Sequence, residues 1–244
     1  MMPRFVGRLG LADGVTIANA ALGFLAVVAA PTDPGLAARL VLLAAVADGL
    51  DGVLARAYGH TPVGDVLDSL ADVVSFGVAP ALIVFHLVAS GPALSARFVL
   101  PGFVSVAFLA MAVVRLGLYT TDDLDRAHTE GVQTTLAATL LATALLAGVR
   151  GPALLVATAV LAYLMVTRVT YPDLRARDAL VMGAVQVLAI VFPTVFGRLF
   201  PRTLFVAACC YLVLGPPFYR RDSSGARGSQ NDGTTHAPLS SESR

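Results

Sequence analysis

The chain has 244 residues, 57% of them hydrophobic and only 14% charged, with a net charge of +1. A soluble domain carries about 25% charged residues, so the composition excludes an ordinary soluble fold. A charge so near zero also gives no electrostatic case for a nucleic-acid partner.

The first residues, MMPRFVGRLGLADG, carry Arg4 and Arg8 without a signal-peptide cleavage pattern, and read as a short entry to a first membrane helix. Spanning a hydrocarbon core of about 30 Å takes roughly 20 apolar helical residues. Eight apolar runs follow, near Gly14–Ala30, Leu36–Val53, Val66–Val88, Phe98–Tyr119, Thr134–Val149, Ala153–Val166, Ala179–Phe196 and Thr203–Tyr219. The fifth and sixth are short and separated by GVRGP, Gly148–Pro152. Backbone groups in lipid must be satisfied within each segment, which predicts an all-α, polytopic membrane helix bundle of about eight transmembrane helices. The 22 glycines suit close helix packing in lipid. Cys209 and Cys210, adjacent in the last run, read as small packing residues. The tail from Arg221 is polar, Ser/Gly-rich and without periodicity, so residues 1–220 form the membrane domain and 221–244 a disordered tail.

All 17 basic residues are arginine, and their placement sets the orientation. Arg4, Arg8, Arg56, Arg126, Arg168, Arg175, Arg177, Arg220 and Arg221 fall at one set of helix ends. Arg39, Arg97, Arg150, Arg198 and Arg202 fall at the other. The positive-inside rule then places both termini, and the turn Arg56–Asp65, in the cytoplasm, with the chain in the cytoplasmic membrane.

One stretch breaks the apolar pattern: DGLDGVLARAYGHTPVGDVLDSLAD, Asp48 to Asp72. Asp48 and Asp51 lie three apart near the end of the second run and share a helix face. Gly52 and Ala55 continue that face with no bulky side chain, so a ligand can approach the backbone there. Arg56 adds a fork suited to phosphate oxygens. Gly64, Asp68 and Asp72 lie four apart on one face of the third run. Gly59 and Pro62 in the intervening AYGHTPV form a turn that brings the two faces together.

Four carboxylates in one place cannot all ionise without a counter-charge, and an Asp deep in lipid costs roughly 2.5–3.5 kcal/mol. Divalent cations resolve both difficulties. Oxygen-only ligands favour Mg²⁺ or Mn²⁺ over zinc, and two such ions about 3.5–4 Å apart suit displacement at phosphorus. A solvated pair at a helix end would account for Asp48 and Asp51 alone. It does not account for two faces of acids, the small residues between them and Arg56.

The pattern Asp48-x2-Asp51-Gly52-x2-Ala55-Arg56-x7-Gly64-x3-Asp68-x3-Asp72 resembles the signature of the CDP-alcohol phosphatidyltransferases. The usual signature has eight residues where this chain has seven between Arg56 and Gly64, and the turn absorbs the difference. The resemblance implies two divalent ions held by Asp48, Asp51, Asp68 and Asp72, with Asp72 also the general base. It implies a cytidine diphosphate site along Gly52, Ala55, Arg56 and Gly64. An acceptor hydroxyl would attack the β-phosphorus of a CDP-activated lipid and CMP would leave.

Further stretches resemble the serine-using branch, the phosphatidylserine and archaetidylserine synthases. They are VVSFGVAPA (Val73–Ala81), RLGLY (Arg115–Tyr119) and LMVTRVTYPDLR (Leu164–Arg175). In RLGLY, Leu118 stands where that branch has a second arginine. Thr16 and Asn19 match a T-x-x-N at the family's first helix and join the expected CDP-lipid site. Serine needs a cation for its carboxylate, and Arg115 and Arg168 are the candidates, each also readable as a membrane anchor. The resemblance thus implies transfer of a phosphatidyl or archaetidyl group to L-serine, with CDP-lipid, serine and membrane as partners and no nucleic acid. A homodimer is consistent with the small residues on several helices. Overall likeness points toward archaeal members and CDP-archaeol.

Two rivals remain open at this stage. Arg175 and Arg177 keep a phosphorylated acceptor, inositol phosphate or glycerol 3-phosphate, in play. A cation-coupled transporter would also place acids in a membrane, but would show a repeat with broken helices, and no repeat is visible. His86 reads as a packing residue and His60 as a solvated turn histidine. The acidic loop of Asp122, Asp123, Asp125, His128 and Glu130 reads as solvated.

Overall fold

The computed structural model describes residues 9–59, 61–118, 129–171 and 176–230. Arg4, Arg8, His60, Asp122, Asp123, Asp125, Arg126, His128 and Arg175, and the tail beyond residue 230, lie outside them.

The described chain is helical apart from turns and a two-residue antiparallel pair, Thr129–Glu130 with Thr170–Tyr171. Helix α1 (Leu11–Ala29) begins where the Gly10 N–H donates to Asp13 Oδ2 at 2.8 Å. Helix α2 (Pro34–Tyr58) is capped by Asp33, whose Oδ1 accepts from the Leu36 N–H at 2.8 Å, with proline at the first helical position. It stops at Gly59, whose φ of +96° an L side chain rarely adopts. Helix α3 (Gly64–Asp72) continues through a π-helical turn, Val73–Val78, into α4 (Ala79–Val88), one unbroken rod. Pro80 has no N–H for the Phe76 carbonyl, and the wider turn lies directly before it.

Helix α5 (Ala96–Leu118) contains Pro101, which leaves the Arg97 carbonyl without its helical donor; the Ser90 N–H supplies one at 3.2 Å. Helix α6 (Thr134–Ala147) is the central one, with ten of its 14 residues buried. Gly148 closes it in a left-handed turn, φ +93°. Then come α7 (Gly151–Met165), α8 (Ala176–Val191) and α9 (Val195–Gln230). The last is interrupted at Phe196–Arg198 and runs past Arg221 to Gln230, into the segment read from sequence as a disordered tail. Adding residues to an existing helix costs little compared with starting one.

Among the described residues, four helical stretches are long and apolar enough to cross a membrane: Leu11–Ala29, Gly64–Val88, Ala96–Leu118 and Val195–Gly215. Three shorter apolar helices, Thr134–Ala147, Gly151–Met165 and Val181–Val191, accompany them, and α2 is long but carries the acids. The packing is that of a membrane protein. Alanine, threonine and glycine fill the helix contacts, while Phe24, Val28, Leu100, Phe103, Val106, Val160 and Val213 are exposed on the outside. The sequence expectation of an all-α membrane bundle therefore holds.

Candidate active site

Helix α1 organises the acids. Thr16 and Asn19 lie three apart on its inner face, and both are buried. The Thr16 hydroxyl donates to Asp51 Oδ2 at 2.8 Å, and Asn19 Nδ2 donates to Asp72 Oδ1 at 3.2 Å. The Ser75 hydroxyl, in the π turn, donates to the Asn19 carbonyl at 2.8 Å. This contact requires α1 to lie close against the π turn, and Gly23 permits it. A Cβ there would sit 2.6 Å from Ser75 Cα and 2.9 Å from its backbone nitrogen, closer than atoms in contact ever lie.

The four acids divide. Oxygens of Asp48, Asp68 and Asp72 all lie within 4.8 Å of one another. Asp48 Oδ2 accepts from the Thr135 hydroxyl of α6 at 3.2 Å. Asp51 stands beside the three, turned to Thr16, and is not part of that group. Three residues along a helix is a rotation of about 300°, so Asp48 and Asp51 point some 60° apart and meet different neighbours.

Two clefts meet at Asp68. One, about 400 Å³, runs from Asp68 and Asp51 past Gly52, Ala55 and Gly64 to Asp13, Thr61 and Gly59. The Arg56 side chain is exposed, with its Nη1 3.5 Å from where a Gly52 Cβ would lie, so the guanidinium sits over the glycine. The other, about 540 Å³, has Asp48, Asp68 and Asp72 on one wall and Arg115, Gln133, Thr134 and Thr135 on the other. Arg115 is 7% exposed. Arg168 is exposed and lines neither cleft. His86 is exposed on α4, its ring edge-on to Phe85. Glu130 is exposed too.

Sequence reasoning missed Asp13 and Thr61. Asp13 is buried and accepts from the Thr61 hydroxyl at 2.9 and 3.1 Å, which ties the α2–α3 turn to the start of α1. A signal existed: Asp13, Thr16 and Asn19 form a polar stripe at three-residue spacing in an apolar helix. Thr134, Thr135 and Gln133 gave none, because α6 is rich in threonine throughout.

The donor set suits a hard cation. The converging atoms are carboxylate oxygens, with no His or Cys in the group. Asp68 Oδ1 and Asn19 Oδ1 are buried and accept no hydrogen bond among the described residues. Buried oxygens without donors beside three converging carboxylates fit a divalent metal ion, which could replace the missing positive charge.

The sequence profile of the CDP-alcohol phosphatidyltransferase family matches residues 9–171, about two thirds of the chain, and covers every residue of this site. The chain belongs to that family. Its similarity runs to serine-named members. An archaetidylserine synthase of Methanothermobacter thermautotrophicus is 40% identical over 82 residues, covering 32% of this chain and 35% of that protein. A CDP-diacylglycerol–serine O-phosphatidyltransferase of Helicobacter pylori strain J99 is 45% identical over 78 residues, 30% of this chain and 33% of its own. One from Mycobacterium leprae is 49% identical over 53 residues, 21% and 18%. The matched stretches span about a third or less of these relatives' length.

Proposed function

We propose that this protein transfers a phosphatidyl or archaetidyl group from a CDP-activated lipid to the hydroxyl of L-serine, releasing CMP. The observation that carries this is the pair of clefts meeting at Asp68, one on each side of the carboxylates. A transferase must bring a nucleotide-linked donor and an acceptor to one phosphorus from different directions, and clefts on both sides of the carboxylates suit that requirement.

The Gly52–Gly64 cleft takes the cytidine diphosphate, with Arg56 over the phosphates and Thr16 and Asn19 holding the acids from behind. Asp48, Asp51, Asp68 and Asp72 would hold two divalent cations, Mg²⁺ or Mn²⁺. Bound there, the ions would neutralise the diphosphate and polarise the β-phosphorus. The cleft beyond takes the acceptor. Arg115 is its one lining cation among the described residues. A single guanidinium matches the single carboxylate of serine better than the phosphate of a phosphorylated polyol. Asp72 accepts the proton of the serine hydroxyl as its oxygen bonds to phosphorus. The bond between that phosphorus and the CMP oxygen breaks, and CMP takes the electron pair. Chemistry of this kind rests on positioning and charge.

In the same reading the carboxylates and both termini face the cytoplasm, about eight helices lie in the cytoplasmic membrane, and two copies pair as a homodimer. The family match leaves the transporter reading without support. CMP release with each acceptor tests the proposal. Serine-dependent release supports it, and release with glycerol 3-phosphate or inositol phosphate alone would reassign the acceptor within the family.

A further inference from the structure

A third cleft, about 930 Å³, opens at the other end of the bundle, between the start of α2, the end of α6 and the α8–α9 turn. Along α2, Arg39 lies nine residues from Asp48, and along α6, Gly148 lies thirteen from Thr135. At 1.5 Å per residue that is roughly 14 and 20 Å from the carboxylates. The cleft takes no part in the transfer site.

Its wall is of two kinds: Leu36, Leu145 and Leu146 are apolar, while Arg39, Arg198 and Asp33 are charged. Arg39 is held in place, its Nε donating to the Ile190 carbonyl at 2.6 Å, and its two terminal nitrogens have no hydrogen-bond partner among the described residues. Arg198 is reached by an unusual backbone. Phe196, Gly197 and Arg198 all sit in the left-handed region, with φ of 50°, 64° and 68°. Non-glycine residues avoid that region, and such strain gathers at ligand clamps. Here it brings the Arg198 guanidinium onto Gly148, where any Cβ would overlap Nη1. No salt bridge engages either arginine among the described residues. Asp33 spends Oδ1 on its helix cap. The charged lining therefore sums to one positive charge beside an apolar wall.

We propose that this cleft binds the headgroup of an anionic glycerolipid, its phosphodiester between Arg39 and Arg198 and a hydrocarbon chain along Leu36, Leu145 and Leu146. A singly charged phosphodiester balances the lining. The cation of a zwitterionic headgroup would meet two arginines and be disfavoured. The bland account is that each arginine serves the carbonyl end of a helix, Arg39 that of α8 and Arg198 that of α6. On that account the lipid makes no difference.

The full-length protein, delipidated in detergent, is offered phosphatidylglycerol or phosphatidylcholine of identical chains, and bound lipid is counted by native mass spectrometry. Phosphatidylglycerol binds at least roughly tenfold tighter, and Arg39→Gln with Arg198→Gln removes that preference, as loss of hydrogen bonds to a charged group requires. Asp33→Asn keeps the helix cap while removing the negative charge, and tightens phosphatidylglycerol binding several-fold. This variant decides the matter if the double variant does not fold. Equal binding of the two lipids, or no change in Asp33→Asn, overturns the proposal. Displacement of the lipid by millimolar inorganic phosphate would assign the cleft to a soluble anion and overturn the lipid reading.

Discussion

Gly23→Ala places one methyl group between α1 and the π turn, against Ser75, three residues beyond Asp72. Its carbon would lie 2.6 Å from Ser75 Cα and 2.9 Å from Ser75 N. Both are backbone atoms, so no side-chain rotation relieves the overlap. Carbon atoms in contact lie about 3.5–4.0 Å apart, so the two segments must part by roughly 1 Å. Overpacking of this kind costs about 1–3 kcal/mol. The larger effect falls on turnover. The same crossing holds the Ser75 hydroxyl on the Asn19 carbonyl and Asn19 on Asp72, and a 1 Å misplacement of reacting groups can cost about 100-fold in rate. The expected result is a modest loss of thermal stability in detergent with a fall of about two orders of magnitude in CMP release. Gly14→Ala is the control, because a Cβ there meets nothing within 4 Å; it should keep full turnover. Wild-type turnover in a folded Gly23→Ala protein would refute the reasoning that this crossing sets the site.

Other substitutions separate the parts of the site. Asp68→Asn removes a carboxylate shared by both clefts, and should raise the Mn²⁺ concentration needed for half-maximal activity by tenfold or more, as about 1.4 kcal/mol of binding implies. Arg115→Leu should raise KM for serine far more than KM for the CDP-lipid; equal effects on both would remove Arg115 from the acceptor site. Thr16→Val takes one donor from Asp51 and should cost about 1.5–3 kcal/mol in transition-state stabilisation, read as kcat/KM. Unchanged kinetics would make the Thr16 bond structural only. Chelation with EDTA should abolish turnover and added Mn²⁺ or Mg²⁺ restore it, while activity that persists in EDTA would exclude a metal role.

The helices were legible because each apolar run is a local property of the sequence. The runs from Gly14, Leu36, Val66, Phe98 and Thr134 all coincide with helices to within a few residues. The acids were legible for the same reason, since spacings of three and four put Asp48 with Asp51 and Asp68 with Asp72 on shared faces. How helices cross is not local. Thr16 takes Asp51 while Asp72 and Asp68 gather Asp48, and that division depends on where α1 lies against α2 and α3. Thr135 reaches Asp48 across 87 positions of sequence, which no spacing reveals. The π turn was hidden too, because it answers to a contact with α1 as well as to Pro80. The end-of-bundle arginines read as orientation markers in the sequence, and only the left-handed turn at Arg198 brings one of them to Gly148.

The most direct measurement is CMP release by purified protein in detergent, with a CDP-lipid, Mn²⁺ or Mg²⁺, and serine present or absent, beside the Asp72→Asn variant. Release that needs both serine and metal, and is lost in folded Asp72→Asn, is the predicted result. Folded wild-type protein that releases no CMP with serine, or an Asp72→Asn variant as active as wild type, would contradict it.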